Sequence, residues 1–294
     1  MKCSQRRLFG FSLHSLLPLL TVSFILFAPP LIAKSLKQVT LCGHPTYPPI
    51  SWLEADQIKG VAPYSVEKIF THLGYDVVRY QTFNWKRCLH EAKEGHVDIV
   101  VSAFRIKARE DYLAFSREPI IEEPIVPFYN PKFPIEFESW HQLKGKRIGM
   151  LLGDTFGAEA DQKIEKYMQI ERVSSGKQNF GKLATGRIEV LPLGLYGGSL
   201  QALKLGYYNQ INYLDRPLVI DSWYVAISKK SPLVKHMPEL NQALKKMKDS
   251  GEIETLMQQF SHEYTQRSVS CPGESASMSS PLSCIQNKLA TPIK

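Results

Sequence analysis

Residues 94–100, EGHVDIV, and residues 185–191, TGRIEVL, repeat one pattern. Each stretch has a glycine, one further residue, a β-branched residue, an acid and then an apolar run. A glycine is typical of a helix end, and a short apolar run with β-branched residues is typical of a buried strand. The repeat therefore predicts two α/β units of similar plan, the second over roughly residues 130–220.

Strands and helices alternate around the first of these stretches. The helix over residues 63–73 is predicted from apolar residues at helical spacing, and Gly74 ends it. The predicted strands are VTLC (39–42), DVVRY (76–80) and VDIVVSAF (97–104), and the second predicted helix is NWKRCLHEAKEG (84–95). This alternation predicts an α/β fold with a parallel sheet.

The later segments extend the same plan. KRIGMLLGDTF (146–156) is the counterpart of VTLCGHPTY (39–47), and WYVAIS (223–228) predicts a further strand. Residues 238–260 predict two helices with a break at Ser250-Gly251. HPTYPPISW (44–52) is predicted to be a proline-stiffened loop, and residues 263–294 a Ser/Pro-rich tail without periodicity.

The N-terminus has the layout of a cleaved secretory signal peptide, residues 1–33. Lys2, Arg6 and Arg7 precede an apolar run, and Ala33 is the expected last residue before cleavage. A retained membrane anchor is the alternative. Cleavage removes three basic residues and lowers the net charge from +8 to +5. The remaining excess of basic over acidic residues is scattered along the sequence, so no nucleic-acid partner is expected.

Four cysteines follow the signal peptide, which suggests two disulfides in an exported protein. Three pairings are possible. Cys271 and Cys284 are the natural local pair in the tail, which leaves Cys42 with Cys88; free buried thiols are the alternative for this second pair. No C-x-x-C motif or neighbouring His cluster is present, so neither a metal nor a cofactor is expected.

The order of five segments resembles the bacterial extracellular solute-binding proteins of the amino-acid type, family 3. The segments are YPPISW (47–52), the stretch from Trp85 to Asp98, IKAREDYLAFS (106–116), LKGKRIGMLLGDT (143–155) and ALKKMKDSGEIETLMQQF (243–260). The resemblance implies a two-lobed periplasmic-binding-protein (Venus-flytrap) fold with two hinge crossings, near residues 124–131 and 215–224. Residues 36–127 and 222–262 would form lobe 1, and residues 128–221 lobe 2. Ligand would bridge the lobes as the hinge closes.

The resemblance also implies ligand-binding residues: Tyr47, Trp85, Ser102, Phe104, Arg109 and Thr155. Arg109 would bind a ligand carboxylate through its guanidinium fork. Its alternative is a surface pair with Glu110 or Asp111, and Arg105 is a competing donor. Thr155 would help bind an anion at a helix N-terminus, with ordinary capping by Asp154 or Thr155 as the alternative.

Gly194 is the most informative departure from the family pattern. In amino-acid receptors an acid that binds the α-ammonium stands five residues after the acid that corresponds to Glu189. Here that position is Gly194. Because desolvating an unpaired cation is costly, an ordinary L-amino acid bound in the ordinary way is in doubt. A carboxylate without an amine, a peptide, a different metabolite, or an amine bound by Asp215 or Asp221 are the alternatives.

The leading interpretation is a periplasmic solute-binding protein. It would capture a small carboxylate-bearing metabolite, act as a monomer without catalysis, and serve an ABC-type importer or a membrane sensor. One alternative is a dehydratase-like enzyme on the same fold, with His44, Glu54 and Asp98 as acid–base candidates. Another is a scaffold whose cleft is vestigial; ligand-induced stabilisation separates it from a receptor.

Overall fold

The computed structural model describes residues 37–81 and 84–265. The predicted signal peptide, the Cys271–Cys284 pair and nearly all of the predicted tail lie outside these residues. An eight-stranded sheet dominates, and its main path has the order β11-β8-β13-β6-β1-β5. Strand β12 pairs with β8, and β7 pairs with β13. Among the described helices, none is long and apolar enough to cross a membrane.

Most of the strands are short, with seven residues or fewer, whereas β8 has nine and β13 has ten. They are β1 (Lys37–Gly43), β2 (Thr46–Tyr47), β3 (Ser51–Glu54), β4 (Gln57–Lys59), β5 (Tyr75–Arg79), β6 (Ile99–Ala103), β7 (Leu113–Phe115), β8 (Ile121–Tyr129), β9 (Arg147–Leu151), β10 (Gln169–Val173), β11 (Leu191–Gly194), β12 (Asn212–Tyr213) and β13 (Val219–Ser228).

The helices flank this sheet. They are α1 (Val61–His72), α2 (Trp85–Glu94), α3 (Lys107–Glu110), α4 (Ala158–Tyr167), α5 (Gly176–Ala184), α6 (Leu195–Lys204), α7 (Met237–Asp249) and α8 (Glu252–Thr265). Two 3₁₀ helices span Trp140–Leu143 and Pro232–His236. The predicted alternation of strands and helices is confirmed, including the break between α7 and α8 at Ser250-Gly251. The expectation of a purely parallel sheet is wrong, because β13 runs antiparallel to β6 and β8 while β1 runs parallel to β5 and β6.

The two repeated acids have matching structural roles. Asp98 accepts hydrogen bonds from the backbone N–H of Thr40 in β1 (2.9 Å) and from its hydroxyl (2.8 Å). Glu189 accepts from the backbone N–H of Arg147 in β9 (2.8 Å) and from its guanidinium. Each acid thus fixes the neighbouring parallel strand of its own unit. The sequence repeat reflects this shared way of setting strand register.

Two long strands link the two units. β8 and β13 run antiparallel, with Ile121 opposite Trp223 and Ile125 opposite Val219. β13 continues to pair with β6, whereas β8 continues to pair with β11. The residues predicted as hinge crossings overlap these two strands, while the exact lobe boundaries stay a prediction.

The segment predicted as a loop over residues 44–52 contains more regular structure than its prolines suggested. β2, β3 and β4 form a small antiparallel sheet, in which Thr46 pairs with Trp52 and Trp52 pairs with Lys59. Trp52 is buried against Phe260 and Tyr264 of α8. The core interpretation of Trp52 is therefore confirmed.

The predicted Cys42–Cys88 disulfide is present and joins β1 to α2, with the Cα atoms 5.8 Å apart. Both cysteines are fully buried in a small cluster that also contains Trp85, Ala92 and Val100. Because Trp85 and Cys88 are three residues apart in α2, they share one face of that helix. The disulfide therefore holds the helix that carries Trp85 against β1.

Candidate functional site

One small cavity collects most of the residues predicted to bind ligand. It is lined by His44, Tyr47, Trp85, Phe104, Arg109, Asp154, Thr155 and Trp223. Its volume is about 10 Å³, which is close to the room that one water molecule needs. The lining residues come from both repeated units, so the cavity lies where the two units meet.

Arg109 is the only arginine among the lining residues of this cavity. It lies in the short helix α3, and only 4% of it is exposed. Its Nη1 donates to the carbonyl of Phe104, and its Nη2 donates to the carbonyl of Gly153, both at 3.0 Å. The guanidinium also lies over the ring of Trp85, 5.3 Å from the centroid, which is cation–π geometry. Both ends of the fork therefore contact backbone oxygen.

The electrostatic surroundings of Arg109 leave its charge without a direct counter-ion. Burial lowers the pKa of Arg109, whereas Tyr112 and Asp154 act in the opposite direction through space. No ion pair joins it to a carboxylate within the described part of the chain. Arg105, by contrast, pairs with Glu110 at 2.5 Å and is half exposed. The surface-pair alternative thus describes Arg105 and not Arg109.

Gly153 makes the close approach to Trp85 possible. Its φ of +92° is in the left-handed region that glycine adopts readily. A Cβ atom at this position would lie 3.2 Å from the Trp85 ring and from the backbone of Lys86. The loop that carries Asp154 and Thr155 can therefore sit directly on the N-terminus of α2.

Aromatic rings form the cavity wall. Trp223 packs against Phe104 with 4.1 Å between centroids and against Tyr47 with 4.2 Å. His44 makes an edge contact with Tyr47 at 4.4 Å and lies 5.0 Å from Trp85. Such a wall, with few polar groups, is typical of small-molecule sites.

His44 and Asp154 form a buried polar pair. The Nδ1 atom of His44 accepts the backbone N–H of Thr46 (3.3 Å), so Nε2 carries the proton and donates to Asp154 Oδ1 (3.0 Å). Burial lowers the pKa of His44, and Asp154 partly opposes this change. The neutral imidazole is therefore the form that this geometry favours at neutral pH.

Thr155 lies in the cavity wall, but its hydroxyl is already engaged. It donates to Asp161 of α4, whose other oxygen accepts the backbone N–H of Phe156 at 2.9 Å. Gly157 is the N-cap residue of α4 and makes no side-chain cap. Neither Asp154 nor Thr155 is therefore the N-cap residue of α4, although Thr155 Oγ1 accepts the backbone N–H of Gly157 at 3.3 Å.

Five of the six predicted ligand-binding residues line the cavity: Tyr47, Trp85, Phe104, Arg109 and Thr155. Ser102 does not, because its buried hydroxyl donates to the carbonyl of Val101 at 2.6 Å. Their role in binding stays a prediction. Sequence reasoning did not assign Asp154, Trp223 or His44 to the ligand site, although Asp154 lies within a segment that carried the resemblance and His44 lies three residues before another.

The other acid–base candidates lie in structural contacts. Glu54 pairs with Lys59 at 2.9 Å and with Lys204 at 3.0 Å. Asp98 accepts bonds from Thr40 and from the hydroxyl of Ser231. Among the described residues, no group of three or more His, Cys, Asp or Glu side chains could hold a metal ion.

Residues 39–263 match the bacterial extracellular solute-binding proteins, family 3. The match covers well over half of the chain, and the protein belongs to this family. No curated protein matches it in sequence.

Several solved structures have a similar fold. A variant of ArgBP from T. maritima superposes with a TM-score of 0.65 at 16% identity, over 76% of this chain and 94% of that chain. The amino acid ABC transporter substrate-binding protein AbpA from Streptococcus pneumoniae, bound to L-arginine, gives 0.64 at 16% identity over 78% and 95%.

An ancestral amino-acid-binding protein, a precursor of cyclohexadienyl dehydratase, gives a TM-score of 0.61 at 17% identity over 76% of this chain and 95% of that chain. At these identities the likeness establishes the fold. The chain has the two-lobed α/β fold of periplasmic binding proteins, as the sequence predicted.

Proposed function

We propose that this protein captures a small carboxylate-bearing solute in the periplasm and delivers it to an ABC-type importer or a membrane sensor. Arg109 would bind the carboxylate, and Tyr47, Trp85, Phe104 and Trp223 would enclose the rest of the solute. Membership of a solute-binding family supports a binding role over a catalytic one. We expect the protein to act as a monomer and to need no cofactor.

The observation that carries this proposal is the buried guanidinium of Arg109. Burying a cation is unfavourable unless it is paired, and two carbonyl oxygens are a weaker partner than a carboxylate. A solute carboxylate could replace the Gly153 carbonyl and take two parallel hydrogen bonds from the fork. This exchange would convert an unpaired buried charge into an ion pair.

Binding also requires movement of the cleft. A cavity of about 10 Å³ is too small for even a small organic acid. The contacts from Arg109 to Gly153 and from His44 to Asp154 must therefore open before a solute enters. Hinge motion about β8 and β13, followed by closure on the solute, would satisfy this requirement.

A thermal-shift screen of the mature protein, residues 34–294, tests the proposal. Bound solute is first removed by unfolding and refolding, and the panel contains amino acids, amine-free carboxylates, short peptides and polyamines. A solute at about 100 times its Kd stabilises the protein by roughly 2.7 kcal/mol. We expect a carboxylate hit that Arg109→Ala abolishes and that the matched exposed-arginine control, Arg105→Ala, retains.

A scaffold with a closed cleft is the second candidate function. The small cavity favours it, as do the cross-cleft contacts that satisfy Arg109 and His44 without a solute. Such a protein would bind a membrane partner in its closed form. A folded protein that no panel member stabilises would support the scaffold and contradict solute capture.

A further inference from the structure

A groove on the protein surface lies between α1 and α7. Its volume is about 580 Å³, and small-molecule sites commonly have volumes of about 300–1,000 Å³. It is lined by the second half of α1, by α7 and by the start of α8. The groove and the cleft cavity share no lining residue. The groove is therefore a separate feature of the molecule that solute capture does not use.

The floor of the groove is apolar. Ile69 and Leu73 come from α1, and Ala243 and Met247 come from α7. Residues four apart in a helix lie on the same face, so each helix contributes one apolar pair. Ile69 and Met247 are buried, whereas Leu73 and Ala243 are partly exposed. An apolar ligand that covers this floor would remove apolar surface from water, which is favourable.

The rim of the groove has an uncompensated positive charge. Glu252 pairs with Lys68 at 2.5 Å, and Glu239 lies 3.7 Å from Nδ1 of His236, so each rim acid has a basic neighbour. Lys246 lies on the exposed side of α7 and lines the groove. It makes no ion pair with any residue of 37–81 or 84–265. This free cation favours a ligand with an anionic group.

The dimensions of the groove distinguish an alkyl chain from a helix as its occupant. The lining residues of α7 and its end run from Glu239 to Ser250, a length of about 16 Å at 1.5 Å per residue. The volume divided by this length gives a mean width of about 6 Å. An α-helix with its side chains is about 10–12 Å wide, whereas an alkyl chain is about 4 Å wide, the contact distance of carbon atoms. The groove therefore fits one extended alkyl chain and is too narrow for a helix.

We propose that this groove binds a free single-chain amphiphile, an alkyl chain of about twelve carbons that ends in a carboxylate. The chain lies on the four floor residues, and the carboxylate faces Lys246. With carbon–carbon bonds of about 1.5 Å, an extended chain advances about 1.3 Å per carbon, so about twelve carbons fill the length of the groove. This second site does not depend on which solute the cleft captures.

Calorimetric titration of the mature protein, residues 34–294, with straight-chain carboxylates tests the proposal. The series runs from octanoate to hexadecanoate, and each acid is kept below the concentration at which it forms micelles. Each buried methylene group should tighten binding by up to about fourfold. We expect the affinity to rise as far as dodecanoate and then to level off, because the groove ends there. A continued rise to hexadecanoate would indicate nonspecific adsorption and overturn the proposal.

Variants test where the chain binds. Ala243→Leu fills part of the groove and displaces about two methylene groups of the ligand, so it should weaken dodecanoate binding about tenfold. Lys246→Gln removes the free cation of the rim and should weaken dodecanoate binding about threefold. The matched control is Lys245→Gln, because Lys245 pairs with Asp249 at 2.9 Å and does not line the groove. This control should bind dodecanoate like wild type, and an equal loss in both lysine variants would contradict a specific role of Lys246.

The other outcomes separate this inference from the proposed function. Arg109→Ala should bind dodecanoate like wild type, and a loss of binding would assign the chain to the cleft and overturn the groove site. Should Ala243→Leu not fold, the exposed Lys246→Gln variant decides, and unchanged affinity there overturns the proposal. If no acid of the series binds wild type, the inference fails while capture by the cleft stands. Binding of phosphatidylglycerol vesicles without binding of any free acid would indicate a membrane surface as the occupant and would also overturn the inference.

Discussion

Removing the Cys42–Cys88 disulfide should destabilise the protein substantially. The bond joins residues 46 apart in sequence, and the loop-entropy relation for a loop of this size gives about 4 kcal/mol at 25 °C. Alanine at both positions also removes two buried sulfur atoms from the cluster around Trp85. We expect the Cys42→Ala/Cys88→Ala variant to lose about 4 kcal/mol in free energy of unfolding.

Urea denaturation followed by tryptophan fluorescence measures this loss. Reduction of the Cys271→Ala/Cys284→Ala protein is the matched control, because only the Cys42–Cys88 bond can break there. It should reproduce the destabilisation. A loss below about 1 kcal/mol in either experiment would refute the reasoning, since the disulfide would then restrict the unfolded chain very little. Two free thiols in the unfolded, unreduced control protein would refute the bond itself.

Three further predictions concern the hinge and the cleft rim. Burial raises the pKa of Glu123 from 4.5 to about 7, so the folded protein binds this proton more tightly than the unfolded chain does. The free energy of unfolding should therefore fall by up to about 3 kcal/mol as the pH rises from 4.5 to above 7. Urea denaturation at pH 5 and pH 8 should show a smaller fall in the free energy of unfolding for Glu123→Gln than for wild type. Equal falls in the two proteins would contradict a raised pKa at Glu123. Gly194→Ala should cost about 1–3 kcal/mol in thermal denaturation because its methyl group overlaps Glu123, and Glu123→Ala in the same chain should recover part of the loss. Lys204 of the predicted lobe 2 pairs with Glu54 of the predicted lobe 1 and lies over the ring of Tyr264, so these contacts join the two predicted lobes. Lys204→Ala should cost no more than about 1 kcal/mol in stability and should raise the radius of gyration measured by X-ray scattering. An unchanged radius would show that these contacts do not hold the lobes together.

The parts of the fold that sequence could predict are those fixed by local pattern. The strand at Ile99–Ala103 and the helices of residues 237–265 follow from the spacing of apolar residues and from the glycines that end helices. Both signals lie within a few residues of the element that they define. The roles of Asp98 and Glu189 were also predictable, because each recurs at the same place in its unit. The small sheet formed by β2, β3 and β4 was missed, since prolines in the segment suggested a loop.

The parts that sequence could not predict depend on contacts between distant residues. His44 and Asp154 are 110 residues apart, and Arg109 and Gly153 are 44 apart. No local pattern signals that these pairs meet. Glu123 is the clearest case: in EEPIVPF it resembles an exposed acid, and only the packing of β8 against Gly194 and α6 shows that it is buried.

Calorimetric titration of the best carboxylate from the screen into wild type, Arg109→Ala and Arg105→Ala tests the central claim most directly. Charged hydrogen bonds contribute about 1.5–3 kcal/mol each, so loss of the Arg109 fork should weaken binding roughly a hundredfold or more. Arg105→Ala should stay within about threefold of wild type, because this exposed arginine pairs with Glu110. Equal affinity of the Arg109→Ala variant and wild type would contradict the account, because the solute would then bind without the one buried cation of the cleft.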